Sequence, residues 1–199
     1  RVKKMKVRVS VKLGFALSGI TLLSLIGYAC SDEKIRPAHS AEELGEKLFF
    51  DPILSRDSSI SCASCHKPEF AFADNTPTSP GVFHRNGTRN TPSVMNLVDR
   101  NFYFWDGRAL SLAEQALGPM ENMVEMDFPL TLSVRRLIHH PYYRASFKNV
   151  YGKLPNKQLL GEAIAAYEET LETSNTPFDD FIRDGDSSAL TDSQKRGLE

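Results

Sequence analysis

Cysteine is scarce in this sequence, since its 199 residues include three, two of them close together as Cys62 and Cys65. A structural zinc site needs about four Cys or His ligands at set spacings, and Cys30 with the scattered histidines does not complete such a set. The net charge is only −1, which gives no excess of positive charge to attract nucleic acid. Strand-like alternation of convincing length is also lacking, and we therefore predict an all-α fold.

Long hydrophobic runs are lacking too. The apolar run from Leu13 to Ile26 is too short for a comfortable membrane span. Because basic residues precede it, residues 1–30 are predicted to be an export signal. Cys30 at its end suggests a lipoprotein that is lipidated there after cleavage, although Gly27 and Tyr28 depart from the usual motif. Plain cleavage and an uncleaved anchor are the alternatives, and in each case the protein works outside the cytoplasmic membrane.

The feature with the strongest chemical meaning is C-x-x-C-H at Cys62, Cys65 and His66, the attachment signature of c-type haem. Two thiols at this spacing can reach the two vinyl groups of a porphyrin, and the histidine that follows can ligate the iron. A C-x-x-C redox pair is expected near a βαβ pattern, which the flanks lack, and a structural disulfide is the remaining alternative. We therefore predict covalently bound haem c with His66 as an axial iron ligand.

Capping signals and helical periodicity organise the rest of the chain. Residues 31–39 are predicted to be a polar linker, and Ser40 with Glu43 predicts the capped start of a helix. Later helices are predicted from about Ser111 and over Thr131–His139, Pro141–Val150 and Lys157–Glu172. Residues 176–185 are predicted to be a connector. Pro68–Asn90 is predicted to be a long loop, a type of segment that is often functional.

With these segments in place, the chain resembles the bacterial di-haem cytochrome c peroxidase family, which includes the MauG-like enzymes. The resembling blocks follow the family order: Leu44–Asp51, Ser61–His66, Arg89–Ser93, Phe104–Ala109, Leu112–Ala116 and Glu125–Met126. The resemblance implies an all-α, cytochrome c-like haem domain over residues 40–185, the first of a tandem pair. Residues 186–199 resemble the lead-in to a second haem helix, so we expect a second C-x-x-C-H to follow in the complete protein.

The resemblance also implies roles for single residues. Glu125 matches the family's distal acid and Gln115 its partner, and a carboxylate within reach can move the proton that O–O cleavage requires. Trp105 resembles the indole that lies between the two haems. Arg108, with Asp106, is expected either to pair with haem propionates or to fix the local turn.

Two positions bear on metal ligation. Asn90 matches a residue that helps to bind calcium between the domains, and its side-chain carbonyl is a suitable oxygen ligand. Many members carry a second histidine in the long loop as a distal haem ligand, but Val82 stands at that position. His84, two residues on, is the alternative ligand. Otherwise the iron is five-coordinate and always open, which is the form we expect.

The function that the resemblance implies is reduction of hydrogen peroxide to water in the periplasm. The electrons would come from a small cytochrome c or cupredoxin through the second haem, and a homodimer is among the expected assemblies. One alternative is a MauG-like oxidase of a protein or organic substrate. Another is a mono-haem electron carrier with a methionine as sixth ligand, for which the candidates are Met95, Met120, Met123 and Met126.

Overall fold

Helices dominate the computed structural model of the chain, which describes residues 35–98 and 100–198. The predicted export signal at 1–30 and the lipid-bearing Cys30 lie outside these residues. Over the described residues there is no strand, only isolated bridges between single residue pairs. The all-α prediction is therefore confirmed.

The described residues form eight α-helices, in chain order α1 (Ala41–Phe50), α2 (Cys62–Cys65), α3 (Leu112–Glu121), α4 (Leu130–His139), α5 (Pro141–Tyr151), α6 (Lys157–Glu168), α7 (Pro177–Arg183) and α8 (Asp192–Arg196). Short 3₁₀ turns occur at Pro52–Leu54, Pro68–Phe70 and Val82–His84 within the described part. The predicted caps of α1 are present, because the Glu43 amide donates to the Ser40 hydroxyl over 3.2 Å. The carboxylate of Glu43 accepts from the His39 amide at 2.7 Å.

Two sequence predictions of secondary structure are wrong. The connector predicted over 176–185 is largely helix α7, because Thr176 caps it and proline stands in the first turn. The Thr176 hydroxyl accepts from the Asp179 amide, and the Thr176 amide donates to the Asp179 carboxylate. The helix predicted to reach Glu172 ends at Glu168. There the Thr170 hydroxyl donates to the Tyr167 carbonyl at 2.7 Å and turns the chain out of the helix.

Helices α1 and α6 are in close contact at Gly45. A Cβ on Gly45 would lie 1.9 Å from the carbonyl oxygen of Ala163, so no larger residue fits at this crossing. A second crossing, between α6 and α3, is equally close, since a Cβ on Gly161 would lie 2.4 Å from the Ala113 carbonyl oxygen. Glycine therefore lets the backbone of α6 approach both partner helices directly.

The crossing places aromatic rings beside the cysteine motif. Phe49, fully buried on α1, has its ring 5.2 Å from that of Tyr167 on α6 and 6.4 Å from that of His66. The turn before α2 is held from the other side by Arg136, which donates to the carbonyls of Ile53 and Ser55 at 2.6 Å each. The core of the domain therefore fixes α2 from two directions.

Within the described part of the chain, no helix combines the length and the apolar character needed to cross a membrane. Helix α8 falls in the segment that the sequence assigns to the start of a second domain, 186–199. That boundary, and the domain limits 40–185, stay predictions.

Candidate functional site

Helix α2 is a single turn that carries both cysteines of the motif. It is fixed at its start by Ser61, whose amide donates to the Ser64 hydroxyl at 3.0 Å. Cys62 and Cys65 are both free thiols. Burial raises the pKa of each, and the nearby Glu168 carboxyl raises that of Cys62 further. Both cysteines are therefore protonated, unpaired and partly accessible.

The zinc and disulfide alternatives find no support in this geometry. Among residues 35–98 and 100–198, no three His, Cys, Asp or Glu side chains come together so as to hold a metal ion. The two thiols of the motif are not bonded to each other.

His66 ends α2 and presents one ring nitrogen to the protein. Its Nδ1 lies 3.1 Å from the carbonyl oxygen of Phe72, so the proton belongs on Nδ1 and the lone pair on Nε2. Burial lowers the pKa of the imidazole, against the opposing effect of the Phe72 and Pro92 carbonyls. A neutral ring with a free Nε2 is the form that ligates iron.

The loop after His66 is held by a buried carboxylate. Asp74, whose side chain is fully buried, accepts from the Lys67 ammonium at 2.6 Å and from the Ser79 hydroxyl. Ser79 in turn hydrogen-bonds Thr91 at 2.7 Å. Burial acts to raise the pKa of Asp74, but these hydrogen bonds outweigh it and hold the pKa well below its usual range. This network fixes the segment that carries the Phe72 carbonyl.

Val82 and Glu125, far apart in the sequence, are brought together. The Val82 amide donates to the Glu125 carbonyl at 2.8 Å, and a Cβ on Gly81 would lie 2.5 Å from the same oxygen. Val82 is fully buried. His84 is exposed and lies close enough to Asp57 to lower the pKa of that carboxyl, after the larger effect of a hydrogen bond from Ser59.

The Glu125 side chain is half-buried. The Asn122 amide donates to its Oε1 at 2.7 Å. Burial raises the pKa of Glu125, while Asn122 and the charge of Arg108 lower it in part. The charge of Glu125 also raises the pKa of Cys65. The charge of the predicted acid is therefore felt at the cysteine that precedes the predicted iron ligand, and its catalytic role stays a prediction.

An ion-pair cluster fastens the Glu125 loop to its neighbours. Asp127 accepts from Arg56 at 3.0 Å and from Arg85 at 3.1 Å, and Arg85 also donates to the Met123 carbonyl at 2.8 Å. Exposed pairs of this kind stabilise a fold by about 0.2–1 kcal/mol each. The cluster therefore fixes loop positions without adding much stability.

Arg108 and its neighbours form a separate group. The guanidinium lies 3.5 Å from the centre of the Phe104 ring and donates to Asp106 at 2.8 Å and 2.9 Å. Asp106 also pairs with Arg89 at 3.1 Å. These contacts are compatible with the turn-fixing role offered for Arg108, and its charge acts on Glu125. The choice between that role and pairing with a haem propionate stays a prediction.

Trp105 and Asn90 meet at the surface. The indole is 64% exposed and its Nε1 donates to the Asn90 carbonyl at 2.9 Å. The Asn90 side-chain amide donates to the Thr76 carbonyl at 3.0 Å, and its Oδ1 accepts no hydrogen bond from a described residue. This is compatible with the predicted calcium role, which stays a prediction.

The remaining predicted residues are not joined to Glu125 by hydrogen bonds among the described residues. Gln115 is half-buried on α3. Of the methionines, Met120 and Met126 are packed in the core and Met123 is exposed. Glu168 was missed by the sequence analysis, although its position one turn after Ile164 puts a carboxyl on the apolar face of α6.

Comparison with known proteins supplies the family. Residues 39–187 match the sequence profile described as di-haem cytochrome c peroxidase. This chain belongs to the di-haem cytochrome c peroxidase family. It is 45% identical over 159 residues to cytochrome c551 peroxidase of Pseudomonas aeruginosa, an alignment that covers 78% of this chain and 46% of that protein.

Other members show the breadth of the family. Over 160 residues the chain is 38% identical to methylamine utilization protein MauG of Methylorubrum extorquens, with 78% of this chain and 44% of that protein covered. The crystal structure of the diheme peroxidase BthA from Burkholderia thailandensis is similar with a TM-score of 0.68 and 28% identity, covering 82% of this chain and 46% of that one. The chain spans about half the length of the curated relatives it matches.

Family membership implies a covalently bound c-type haem, and the residues present fit it. Two free thiols stand at the attachment spacing, and the Nε2 of His66 carries a free lone pair. Beside Cys62, the buried Oε2 of Glu168 has no hydrogen-bond partner among the described residues. Cys62 and Cys65 would tether the group, and His66 would ligate its iron.

Proposed function

We propose that this chain is the peroxide-reducing haem domain of a cytochrome c peroxidase. The reaction takes one hydrogen peroxide, two electrons and two protons to two water molecules. Its electrons would come from a small cytochrome c or cupredoxin through a second haem domain. The periplasm is the proposed compartment, with lipid anchorage at Cys30 and a homodimer as further expectations from the sequence.

The observation that carries this proposal is the environment of Glu125. It is a half-buried carboxyl with a raised pKa that accepts a hydrogen bond from Asn122, and its charge acts on Cys65. A haem bound at α2 supplies the redox chemistry at its iron. Glu125 accepts the proton of one peroxide oxygen and donates it to the oxygen that leaves as water, which is general acid–base catalysis. We assign Gln115 to positioning of peroxide.

Val82 supports an open coordination site. The Val82 amide is hydrogen-bonded to the Glu125 carbonyl, and the buried Val82 side chain cannot ligate iron. We therefore propose that peroxide, and no protein ligand, binds the iron on the side of Glu125. His84 is exposed and lies toward Asp57 instead. We therefore propose that the iron of this domain is five-coordinate and needs no reductive activation.

The coordination proposal predicts a result for two variants of the haem-loaded protein. We expect the ferric haem of this domain to be high-spin in the wild type and in His84→Ala. In Val82→His, an imidazole placed beside Glu125 should convert it to low-spin. Electron paramagnetic resonance measures the spin state. A low-spin wild type that becomes high-spin in His84→Ala would show that His84 is the distal ligand, and a sulfur-to-iron band in the far red would indicate methionine.

The remaining predicted residues receive proposed roles in electron supply and docking. Trp105 is exposed, as an aromatic on an electron path between two domains would be before the second domain covers it. Asn90 would contribute its Oδ1 to a calcium ion at the same face. Arg108, near Glu125, would pair with a haem propionate while Asp106 orients it.

The test of the function uses the complete protein with both haems. We expect hydrogen peroxide to oxidise a reduced small cytochrome c, with two cytochromes oxidised for each peroxide consumed. A protein that consumes peroxide with no oxidation of cytochrome or cupredoxin, but oxidises an added protein or organic substrate, would instead be a MauG-like oxidase. Relatives named MauG at 36–38% identity make this the second candidate.

A further inference from the structure

Glu168 is an ionisable group that the proposed reaction does not use. It is the last residue of α6 and 4% exposed. Its Oε2 is buried and accepts no hydrogen bond from a described residue. A buried polar atom left unpaired destabilises a fold, so a carboxyl on this largely apolar helix face requires an explanation.

Several described titratable groups lie within electrostatic reach of Glu168. Its charge adds to the effect of burial in raising the pKa of Cys62 on α2, Tyr167 on α6 and Tyr103 before α3. Arg100 acts on Tyr103 and Glu46 acts on Tyr167, but neither shifts the pKa of Glu168, on which Glu169 acts. Burial, with the charge of Glu169, raises the pKa of Glu168 to about 8.

Cys62 would link Glu168 to the haem. The charge of Glu168 raises the pKa of the Cys62 thiol, after the larger effect of burial, and a haem edge would attach at this thiol. A charge change on the haem would be felt at Glu168 with little screening by solvent, because Glu168 itself is 4% exposed.

We propose that Glu168 is a redox-linked proton site, which takes up one proton when the haem tethered at Cys62 is reduced and releases it on oxidation. In balance, one electron goes to the haem and one proton from solvent goes to the Glu168 carboxylate. Reduction removes one positive charge from the haem, so it strengthens proton binding by the carboxylate. By linkage, protonation favours the reduced haem equally.

The inference requires haem attachment at Cys62 but not peroxide as substrate, so it can fail or succeed independently of the proposed function. The expected observable is a midpoint potential of this haem that falls as the pH rises. Where one proton accompanies one electron, each tenfold fall in proton concentration changes the equilibrium tenfold, which corresponds to about 59 mV.

The experiment is a spectroelectrochemical titration of the haem-loaded chain at several pH values from about 5 to about 9, spanning the ordinary carboxyl range and the raised one. We expect the wild type to show the falling potential and Glu168→Gln to show a flat one, with the two agreeing at low pH. Glu172→Gln is the matched control, because Glu172 is an exposed carboxyl a few residues further along the chain that does not shift the pKa of Glu168. It should keep the wild-type slope, and Glu168→Asp should restore part of it.

A wild-type slope retained in Glu168→Gln, or no slope in the wild type, would overturn the inference. If Glu168→Gln loads no haem, redox-difference infrared spectroscopy of the wild type decides. A protonated carboxyl band that appears on reduction and shifts in ²H₂O supports the proposal, and a spectrum without such a band refutes it.

Discussion

Glu125→Gln should lower the rate of peroxide reduction by the complete protein by about 10²–10⁴-fold, the usual contribution of a positioned general acid–base group. Glutamine preserves the size of the side chain and can still accept from Asn122, but it cannot take up and return a proton. Haem content and thermal stability should therefore remain near those of the wild type. Stopped-flow measurement of peroxide consumption, with the haem spectrum recorded beforehand, checks this result.

The pH dependence of the rate of peroxide reduction provides a second, independent test of the role of Glu125. Glu125 must be ionised to accept the peroxide proton, so the rate should fall as the pH drops through the pKa of Glu125. Burial raises that pKa, so the fall should begin at a higher pH than for an exposed carboxyl. Asn122→Ala removes a hydrogen bond that lowers the pKa, and it should move the acid limb to still higher pH.

Glu172→Gln is the matched control, since it makes the same chemical change at an exposed carboxyl. Its rate and its pH profile should equal those of the wild type. Full activity in Glu125→Gln, or an acid limb that is unchanged in that variant, would mean that another group moves the proton.

Gly45→Ala should lower the free energy of unfolding by about 1–3 kcal/mol, the range for overpacking in a dense core. The added methyl would lie 1.9 Å from a backbone oxygen of Ala163 and 2.9 Å from the Cβ of Tyr167, and neither can rotate away. Helix propensity favours alanine over glycine by about 1 kcal/mol. A net loss of stability would therefore report the steric cost of the methyl group at the α1–α6 contact. For a chain of this size we expect a fall in melting temperature of about 2–4 °C for each kcal/mol.

Gly87→Ala is the control for this variant, because a Cβ there would have no heavy atom within 4 Å. Its melting temperature, followed by circular dichroism of the haem-loaded protein, should stay within a degree or two of the wild type. Since α1 also carries Phe49, which packs near His66, the haem spectrum of Gly45→Ala should shift as well. A melting temperature equal to that of the wild type would show that the α1–α6 contact accommodates an added methyl group without strain.

The sequence by itself determined the haem-attachment motif, the all-α class and the start of most helices. These depend on residues close together in the chain, such as the cap formed by Ser40 and Glu43 or the spacing of Cys62, Cys65 and His66. The Thr176–Asp179 cap of α7 was an equally local signal that the connector prediction overlooked.

Only the tertiary structure decided which distant residues share the site. In the structure the Val82 amide is hydrogen-bonded to the Glu125 carbonyl, and His84 is exposed. Among the described residues, Gln115 makes no hydrogen bond to Glu125. The tertiary structure also buried Glu168 beside Cys62. Sequence patterns report a helix face or a turn, but the close crossing of α6 over α1 and α3 fixes which faces meet, and burial then sets the protonation of the carboxyls enclosed there.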